Sequence, residues 1–343
     1  MNLQIALTHA CNLECIHCHT SCGSQTADHL GVSFVKRIIN ENGYLNQLLN
    51  SEYNLILTGG EPLLYPYLLE IVDYASDQNN LNTISILTNG TLVDEKIIRS
   101  LQNYQNVQIQ ISIDGLRSTH DSIRGAGTFR KIEKNILTLS KSNIPVIVAT
   151  TANSWNLREI PELILKCVEW AIEGFLVHRF IPVGRGKKEG QISLNKQQNL
   201  WLYRLLVDSA NRYRNYINIV LDNCSIASIV SLMDGIEIPN KICKGCHIGT
   251  TCVHVDANYH MITCPKAKIV IADLRNESLA KCFLSSPVLK KFRKRNFGKH
   301  CSCCPYKNLC GGCRAIALAY GSDIYGDEPI CPLINNHGEI GYD

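Results

Sequence analysis

The sequence predicts an α/β protein in which a parallel β-sheet built from β/α repeats is followed by a small cysteine-rich module. Two observations lead to this fold class. Apolar strand-like runs alternate with helical patterns through the first half of the 343-residue chain, and this alternation favours a parallel sheet with right-handed crossovers. The 17 cysteines are unevenly placed, with four in residues 1–22 and eleven in residues 243–331.

Six strands and five helices are expected in the α/β body. The apolar runs place the strands at 2–8, 54–58, 83–87, 107–113, 145–151 and 174–181. The helical patterns place the helices at 32–50, 66–79, 94–103, 128–142 and 157–171. Several strands end in small or polar residues, and ligands of parallel α/β folds bind beyond the carboxyl ends of the strands. A binding site is therefore expected at this end of the sheet.

Three cysteines, Cys11, Cys15 and Cys18, directly follow the first predicted strand. Three thiolates on one short loop can hold three irons of a [4Fe–4S] cube and leave the fourth iron without a protein ligand. Ordinary electron-transfer clusters use four cysteines, so this loop predicts an iron that a small molecule can bind. A zinc loop is the alternative for the same spacing.

The C-x3-C-x2-C spacing resembles the signature of the radical SAM superfamily, in which the open iron chelates the amine and carboxylate of S-adenosylmethionine (SAM). The resemblance covers about residues 3–185 and implies that the α/β body is a partial (β/α)6 radical SAM barrel. Gly59, Gly60, Glu61 and Pro62 match the GGEP motif of that family. The resemblance implies that the backbone and the Glu of this motif contact the SAM amino group.

Five further residues are implied to contact SAM by the same resemblance. Ser112 and Asp114 match the ribose-contacting strand residues, and Asn89 is a candidate for the same pocket. Arg124 matches the arginine that pairs with the SAM carboxylate, a task that suits a bidentate guanidinium. His17 stands where the family usually has an aromatic residue beside the adenine.

The C-terminal module contains eight cysteines that make two sets of four, and the spacing alone leaves zinc ribbons and iron–sulfur clusters as alternatives. The arrangement resembles the SPASM domain of radical SAM enzymes, which carries two auxiliary [4Fe–4S] clusters and would bring the total to three. The implied ligands are Cys246, Cys252, Cys264 and Cys313 for auxiliary cluster I, and Cys301, Cys304, Cys310 and Cys331 for auxiliary cluster II. One departure is Tyr259, which stands where a glycine is expected five residues before Cys264.

The expected domains are the radical SAM barrel in residues 1–185, a helical bridge in 186–242 and the SPASM domain in 243–343. The bridge is expected to contain a helix near 195–216 and a short strand at 217–221. Cys224 follows that strand, and we interpret it as a candidate catalytic residue that donates a hydrogen atom to a substrate radical. A structural role is the alternative.

Composition excludes several classes of protein. The net charge of +4, from 34 basic and 30 acidic residues, does not indicate binding to nucleic acid or to a charged membrane surface. The sequence contains no signal peptide and no apolar run near the roughly 20 residues of a spanning helix, so a cytoplasmic protein is expected. Because disulfides do not persist in the cytosol, 17 cysteines indicate metal ligation.

The expected function is that of an enzyme that cleaves SAM to a 5′-deoxyadenosyl radical and abstracts hydrogen from its substrate. An external reductant such as flavodoxin or ferredoxin is the expected electron source. The first hypothesis for the substrate is a ribosomally made precursor peptide, modified by cross-linking, epimerisation or backbone excision. Only ten residues precede Cys11, so a separate leader-binding protein is an expected partner.

Two other functions remain open at this point. One is a small-molecule radical SAM enzyme, such as a side-chain decarboxylase of haem-type tetrapyrroles. The other is a non-enzymatic iron–sulfur or zinc scaffold, which would have no need of the residues that match a SAM pocket.

Overall fold

The computed structural model describes residues 1–23, 28–220, 226–236, 245–321 and 323–334. The strands in these ranges are β1 (Asn2–Ala6), β2 (Tyr53–Thr58), β3 (Leu81–Thr88), β4 (Val107–Ser112), β5 (Val146–Ala152), β6 (Gly174–Arg179), β7 (Asn218–Val220), β8 (Cys252–Val255), β9 (His260–Ile262) and β10 (Val270–Asp273). They form one sheet in the order β10-β9-β8-β1-β2-β3-β4-β5-β6-β7. Neighbouring strands from β1 to β7 are parallel, which confirms the predicted fold class.

The α-helices in the same ranges are α1 (Val32–Leu48), α2 (Leu68–Ser76), α3 (Glu95–Leu101), α4 (Arg117–Arg124), α5 (Thr128–Leu139), α6 (Ile160–Glu169), α7 (Lys196–Arg212), α8 (Ile226–Met233), α9 (Leu279–Ser285), α10 (Pro287–Arg293), α11 (His300–Cys303) and α12 (Arg314–Ala319). The five predicted body helices appear as α1, α2, α3, α5 and α6. Helix α4 was not predicted, because its only buried side chains are His120 and Ile123 and no apolar periodicity marks it.

The strands of the body present two different faces. In β4, Ile109 and Ile111 are buried in the main hydrophobic core together with helix residues such as Ile38. Gln110 and Ser112 alternate with them and line a cavity on the other face, as the two-residue period of a strand requires. Residues of β1 through β8 line this one cavity, so the sheet curves around it as a partial barrel.

The cysteine-rich module is built onto the same sheet. Strand β8 pairs with β1 in parallel, with Asn2 opposite Cys252 and Ile5 opposite Val255. Strands β9 and β10 continue outward as antiparallel neighbours. The module therefore lies beside the first barrel strand, next to the predicted metal loop.

Tyr259 lies in the turn between β8 and β9 with a φ of +68°. This is the left-handed conformation for which a glycine was expected, and for a tyrosine it costs on the order of 1–3 kcal/mol. The side chain makes compensating contacts. Its ring packs edge-on against Phe34 with centroids 4.7 Å apart, and its hydroxyl accepts a hydrogen bond from the Gly31 N–H at 3.3 Å.

The bridge after the barrel contains the predicted helix as α7. A capping box begins this helix, because the Asn195 side chain accepts from the Gln198 N–H at 2.8 Å and the Asn195 N–H donates to the Gln198 side chain at 2.9 Å. The short strand β7 confirms the strand expected after it. Among the residues described, there is no helix whose length and hydropathy would let it cross a bilayer.

Candidate active site

The three cysteines of the first loop lie at the carboxyl end of β1. Cys11, Cys15 and Cys18 all line the cavity inside the sheet, which has a volume of about 510 Å³. Backbone hydrogen bonds fix the loop from two sides: the Cys11 N–H donates to the Gly23 carbonyl at 3.0 Å, and the Ile16 N–H donates to the Ile123 carbonyl at 3.0 Å. The thiols are thus held at the position expected for a cluster with one open iron.

The Gly59-Gly60 pair crosses directly beneath this loop. The Gly60 N–H donates to the Thr8 carbonyl at 2.8 Å, and the Glu61 N–H donates to the Ala10 carbonyl at 2.8 Å. A Cβ on Gly59 would lie 2.5 Å from the Thr8 carbonyl oxygen, and one on Gly60 would lie 2.2 Å from the Ala10 carbonyl oxygen. The absence of side chains at these two positions lets β2 and the cysteine loop approach each other.

Replacing Gly60 by alanine is expected to displace the cysteine loop. The added Cβ would clash with the Ala10 carbonyl, and a backbone carbonyl cannot rotate away as the end of a flexible side chain can. A misplacement of about 1 Å costs roughly 100-fold in rate, and we expect a loss of this size in 5′-deoxyadenosine formation from SAM. Gly31→Ala is the matched control, since nothing lies within 4 Å of its added Cβ and its φ is −69°. A Gly60→Ala variant with the parental rate would contradict this account.

Glu61 follows the glycines and is fully buried. One carboxylate oxygen accepts from the Thr88 hydroxyl at 2.7 Å and from the Leu63 N–H at 3.1 Å, and the other accepts from the Asn89 N–H at 2.8 Å. The Glu61 side chain therefore joins the GGEP segment to the end of β3. Pro62 opens the short 3-10 turn that follows, while the glycines line the cavity.

Asn89 lines the cavity and holds the cysteine loop at the same time. Its side-chain amide donates to the Asn12 side chain at 2.9 Å, and the Asn12 amide in turn donates to the Thr91 hydroxyl at 2.8 Å. Asn12 lies between Cys11 and Cys15. The end of β3 is thus hydrogen-bonded to the loop between two predicted ligands.

Asp114 forms the centre of a buried charged group. One carboxylate oxygen lies 2.6 Å from His17 Nε2 and 2.5 Å from Arg124 Nε, and the other accepts from the Thr151 N–H at 2.7 Å. Burial alone would raise the pKa of the Asp114 carboxyl, but Arg124 and His17 hold that pKa well below its usual range. Asp114 is therefore an anion that orients two predicted SAM contacts, in addition to its predicted role at the ribose.

The two basic partners of Asp114 reach the cavity. Arg124 and His17 line it, and Arg124 Nη1 lies 4.0 Å from the Cys15 sulfur. His17 Nδ1 is buried and has no hydrogen-bond partner among the described residues. A thiol loop, a guanidinium and an imidazole nitrogen with no partner are a residue set that fits a [4Fe–4S] cluster with SAM.

Arg185 is a site residue that the sequence interpretation missed. Its N–H donates to the Cys18 carbonyl at 2.9 Å, and its guanidinium donates to the Cys15 carbonyl at 2.9 Å and the Cys22 carbonyl at 2.6 Å. Gly184 beside it has a φ of +59°, which turns the chain toward the loop. The sequence feature that could have indicated this role is the Gly184-Arg185-Gly186 segment after β6, in which an arginine stands between two glycines.

The thiols assigned to auxiliary cluster I lie together. Besides burial, nearby Cys313 and Cys264 raise the pKa of Cys246, and nearby Cys264 raises the pKa of Cys252. Burial raises the pKa of Cys246 and of Cys252 to about 12. Cys246, Cys264 and Cys313 line the same cavity as the first-loop cysteines, so this set faces the predicted SAM site.

The thiols assigned to auxiliary cluster II are partly brought together. Cys310 and Cys331 share a small hydrophobic cluster, and the charge of Cys301 acts on Cys331. Cys304 is half-buried, and its carbonyl accepts from the Lys307 N–H at 3.1 Å. In the described part of the chain, no three His, Cys, Asp or Glu side chains are placed to hold a single metal ion. A [4Fe–4S] cube does not need such a group, because each of its four cysteines binds a different iron. Elemental analysis for iron and zinc distinguishes a cube from a zinc site.

Two predicted site residues remain. Ser112 ends β4, lies opposite Ala149 of β5 and lines the cavity, and its contact with the ribose stays a prediction. Cys224 lies outside the described residues, and its role as hydrogen donor stays a prediction.

The chain is similar to several known proteins. The family model of the radical SAM superfamily matches residues 5–188. The AdoMet-dependent heme synthase of Methanosarcina barkeri is 29% identical over 95% of this chain and 94% of its own length. The antilisterial bacteriocin subtilosin biosynthesis protein AlbA of Bacillus subtilis is 26% identical over 95% of this chain and 70% of its own length.

Among solved structures, the chain is similar to SuiB of Streptococcus suis bound to precursor peptide SuiA. The TM-score is 0.75 at 16% sequence identity, covering 96% of this chain and 75% of that chain. At this identity the likeness concerns the fold, and it extends through the cysteine-rich module as well as the barrel.

Proposed function

Because this chain belongs to the radical SAM superfamily, we propose that its cavity is the place where hydrogen is abstracted from a peptide substrate. The observation that carries the proposal is the shared cavity of about 510 Å³, which is lined by the three first-loop cysteines and by four cysteines of the C-terminal module, Cys246, Cys264, Cys310 and Cys313. A substrate in this cavity lies between the two sets of thiols. An electron carrier or a zinc scaffold needs no such space.

In this proposal the protein residues bind and orient SAM, and they exclude water. When bound, the first-loop cluster and SAM supply the 5′-deoxyadenosyl radical. Arg124 offers its guanidinium to the SAM carboxylate, and Asp114 holds that guanidinium in place. His17 Nδ1 is free to hydrogen-bond SAM, and the buried walls of the cavity keep water from the reacting carbon.

A peptide is the substrate class that we place first. The cavity volume of about 510 Å³ lies within the range of about 300–1,000 Å³ that is typical of sites for small ligands such as SAM. The similarity to AlbA over 95% of this chain supports the same class. A separate leader-binding protein and an external reductant would complete the assembly, with tethering raising the local peptide concentration.

A tetrapyrrole is the second candidate, and one observation favours it. The match to the heme synthase extends over 94% of that protein, whereas the match to AlbA extends over 70%. Solved structures that share this fold include SuiB bound to the precursor peptide SuiA, which supports a peptide substrate. We therefore place this candidate after the peptide.

The test supplies reduced, anaerobically reconstituted protein with SAM and either the precursor peptides encoded beside its gene or iron-coproporphyrin III. We expect a deuterated peptide to transfer deuterium into 5′-deoxyadenosine and to change mass. Incubation with the porphyrin should yield only the background of uncoupled SAM cleavage. Decarboxylation of the porphyrin, with no change in any peptide, would replace the first candidate by the second.

A further inference from the structure

A buried ion pair joins the last barrel strand of the body to the cysteine-rich module. Arg179, the final residue of β6, lies 2.6 Å from a carboxylate oxygen of Glu328, and the two side chains are 7% and 0% exposed. Arg179 also lines the cavity and lies over the ring of Tyr203 at 5.9 Å. The pair therefore connects the substrate space to the segment that leads into Cys331.

Glu328 contacts both sets of module cysteines. Its second carboxylate oxygen accepts a hydrogen bond from the backbone N–H of Cys313, which is assigned to auxiliary cluster I. The backbone carbonyl of Glu328 accepts a hydrogen bond from the backbone N–H of Cys331 at 3.2 Å, and Cys331 is assigned to auxiliary cluster II. One fully buried carboxylate thus lies at the junction of the two proposed clusters.

The pair also lies close to a sulfur of the second set of module cysteines. A Cβ built on Gly312 would lie 3.4 Å from the Cys301 sulfur and 3.4 Å from Glu328 Cβ, so these two residues face the same point of the backbone. A second cation, Arg314, is fully buried, donates to the carbonyls of Ile324 and Gly326, and has Nη2 3.9 Å from the Cys301 sulfur. The surroundings of Cys301 and Cys331 thus contain one buried carboxylate and two buried arginines.

We propose that the Arg179–Glu328 pair sets the reduction potential of auxiliary cluster II, with Glu328 as the positioning residue that links this cluster to the cavity. The proposal rests on the assignment of the module cysteines to iron–sulfur clusters made above. Potentials of such clusters depend on nearby charge, on hydrogen bonds to sulfur and on burial. Glu328 contributes the first of these at a buried position, and Arg179 opposes its charge.

The physical reason is the low effective dielectric of a buried site, where a charge acts strongly on its neighbours. Reduction adds an electron to a cluster that already carries thiolate charge. A buried carboxylate beside Cys301 and Cys331 makes that addition harder and lowers the potential. A guanidinium beside the same cysteines makes it easier and raises the potential.

The experiment measures potentials by redox titration followed by electron paramagnetic resonance, in a Cys15→Ala background that lacks the first-loop cluster. Glu328→Gln should shift the potential of auxiliary cluster II in the positive direction. Arg179→Gln should shift the same cluster in the negative direction, and the double variant should return close to the background. Glu70→Gln is the control, because it removes an exposed carboxylate that pairs with Lys36 at 2.7 Å.

Opposite shifts would support the proposal, since a general loosening of the module would move both variants in the same direction. No shift in either variant, or shifts of the same sign, would overturn it. The metal content of the background protein separates this failure from that of the cluster assignment. About eight irons per chain, four for each of two cubes, keep the assignment, whereas zinc without iron would overturn both.

Discussion

Replacing Cys15 by alanine is expected to abolish the conversion of SAM to 5′-deoxyadenosine. Cys15 is the middle thiol of the first loop, is buried at 9% exposure and lies 4.0 Å from Arg124 Nη1. With two thiolates left on the loop, a cube with only one open iron cannot form. We therefore expect activity to fall to the background of SAM decomposition, as measured by chromatography of the reduced, reconstituted protein.

Cys282→Ala serves as the matched control for this variant. Cys282 lies on α9, is also buried, and its thiol donates to Glu277 at 3.5 Å, away from the cavity. The control should keep its activity and its full iron content. If the Cys15→Ala protein produced 5′-deoxyadenosine at the control rate, the first loop could not be the cluster site.

Replacing Asp114 by asparagine is expected to have the second largest effect, on stability as well as on SAM. The variant leaves Arg124 and His17 buried without their anion, and breaking a buried pair in this way costs about 3–5 kcal/mol of unfolding free energy. Loss of the charge-assisted hydrogen bond that holds Arg124 is worth about 1.5–3 kcal/mol. This corresponds to a roughly 10–100-fold weaker affinity for SAM, measurable by calorimetry.

The Asp114→Asn variant should also change the response to acid. Because the pKa of the Asp114 carboxyl is lowered in the folded protein, its contribution is fully present above the ordinary carboxyl pKa of about 4 and declines as the pH falls below it. The variant should lack this part of the acid dependence. Asp234→Asn, which breaks a partly exposed pair with Arg204, is the control and should keep the parental SAM affinity.

The strands of the barrel could be predicted because each strand buries one apolar face. Ile109 and Ile111 in β4 are an example, since their alternation with Gln110 and Ser112 is visible in the sequence. Helix α4 escaped prediction for the opposite reason. Its residues interact mainly through polar side chains, so the helix has no periodic pattern of apolar residues by which it could be recognised.

The site was predictable to the extent that its residues form contiguous motifs. The cysteine loop and Gly59-Gly60 are short stretches whose chemistry depends on local spacing. Arg185 holds the loop through carbonyl oxygens, which every residue possesses, so no sequence feature of the loop indicates that partner. Glu328 pairs with Arg179 across 149 positions, and a single sequence contains no record of such a pair.

The parallel pairing of β1 with β8 has a consequence for how the protein is made. Residue Asn2 leaves the ribosome early, but its partner Cys252 follows only after the whole barrel has been synthesised. Until then one edge of β1 is unpaired, and an unpaired strand edge can pair with another chain and cause aggregation. Contacts this distant in sequence also form slowly. Expression at low temperature or with chaperones should therefore raise the yield of folded protein, and chains truncated before residue 252 should aggregate.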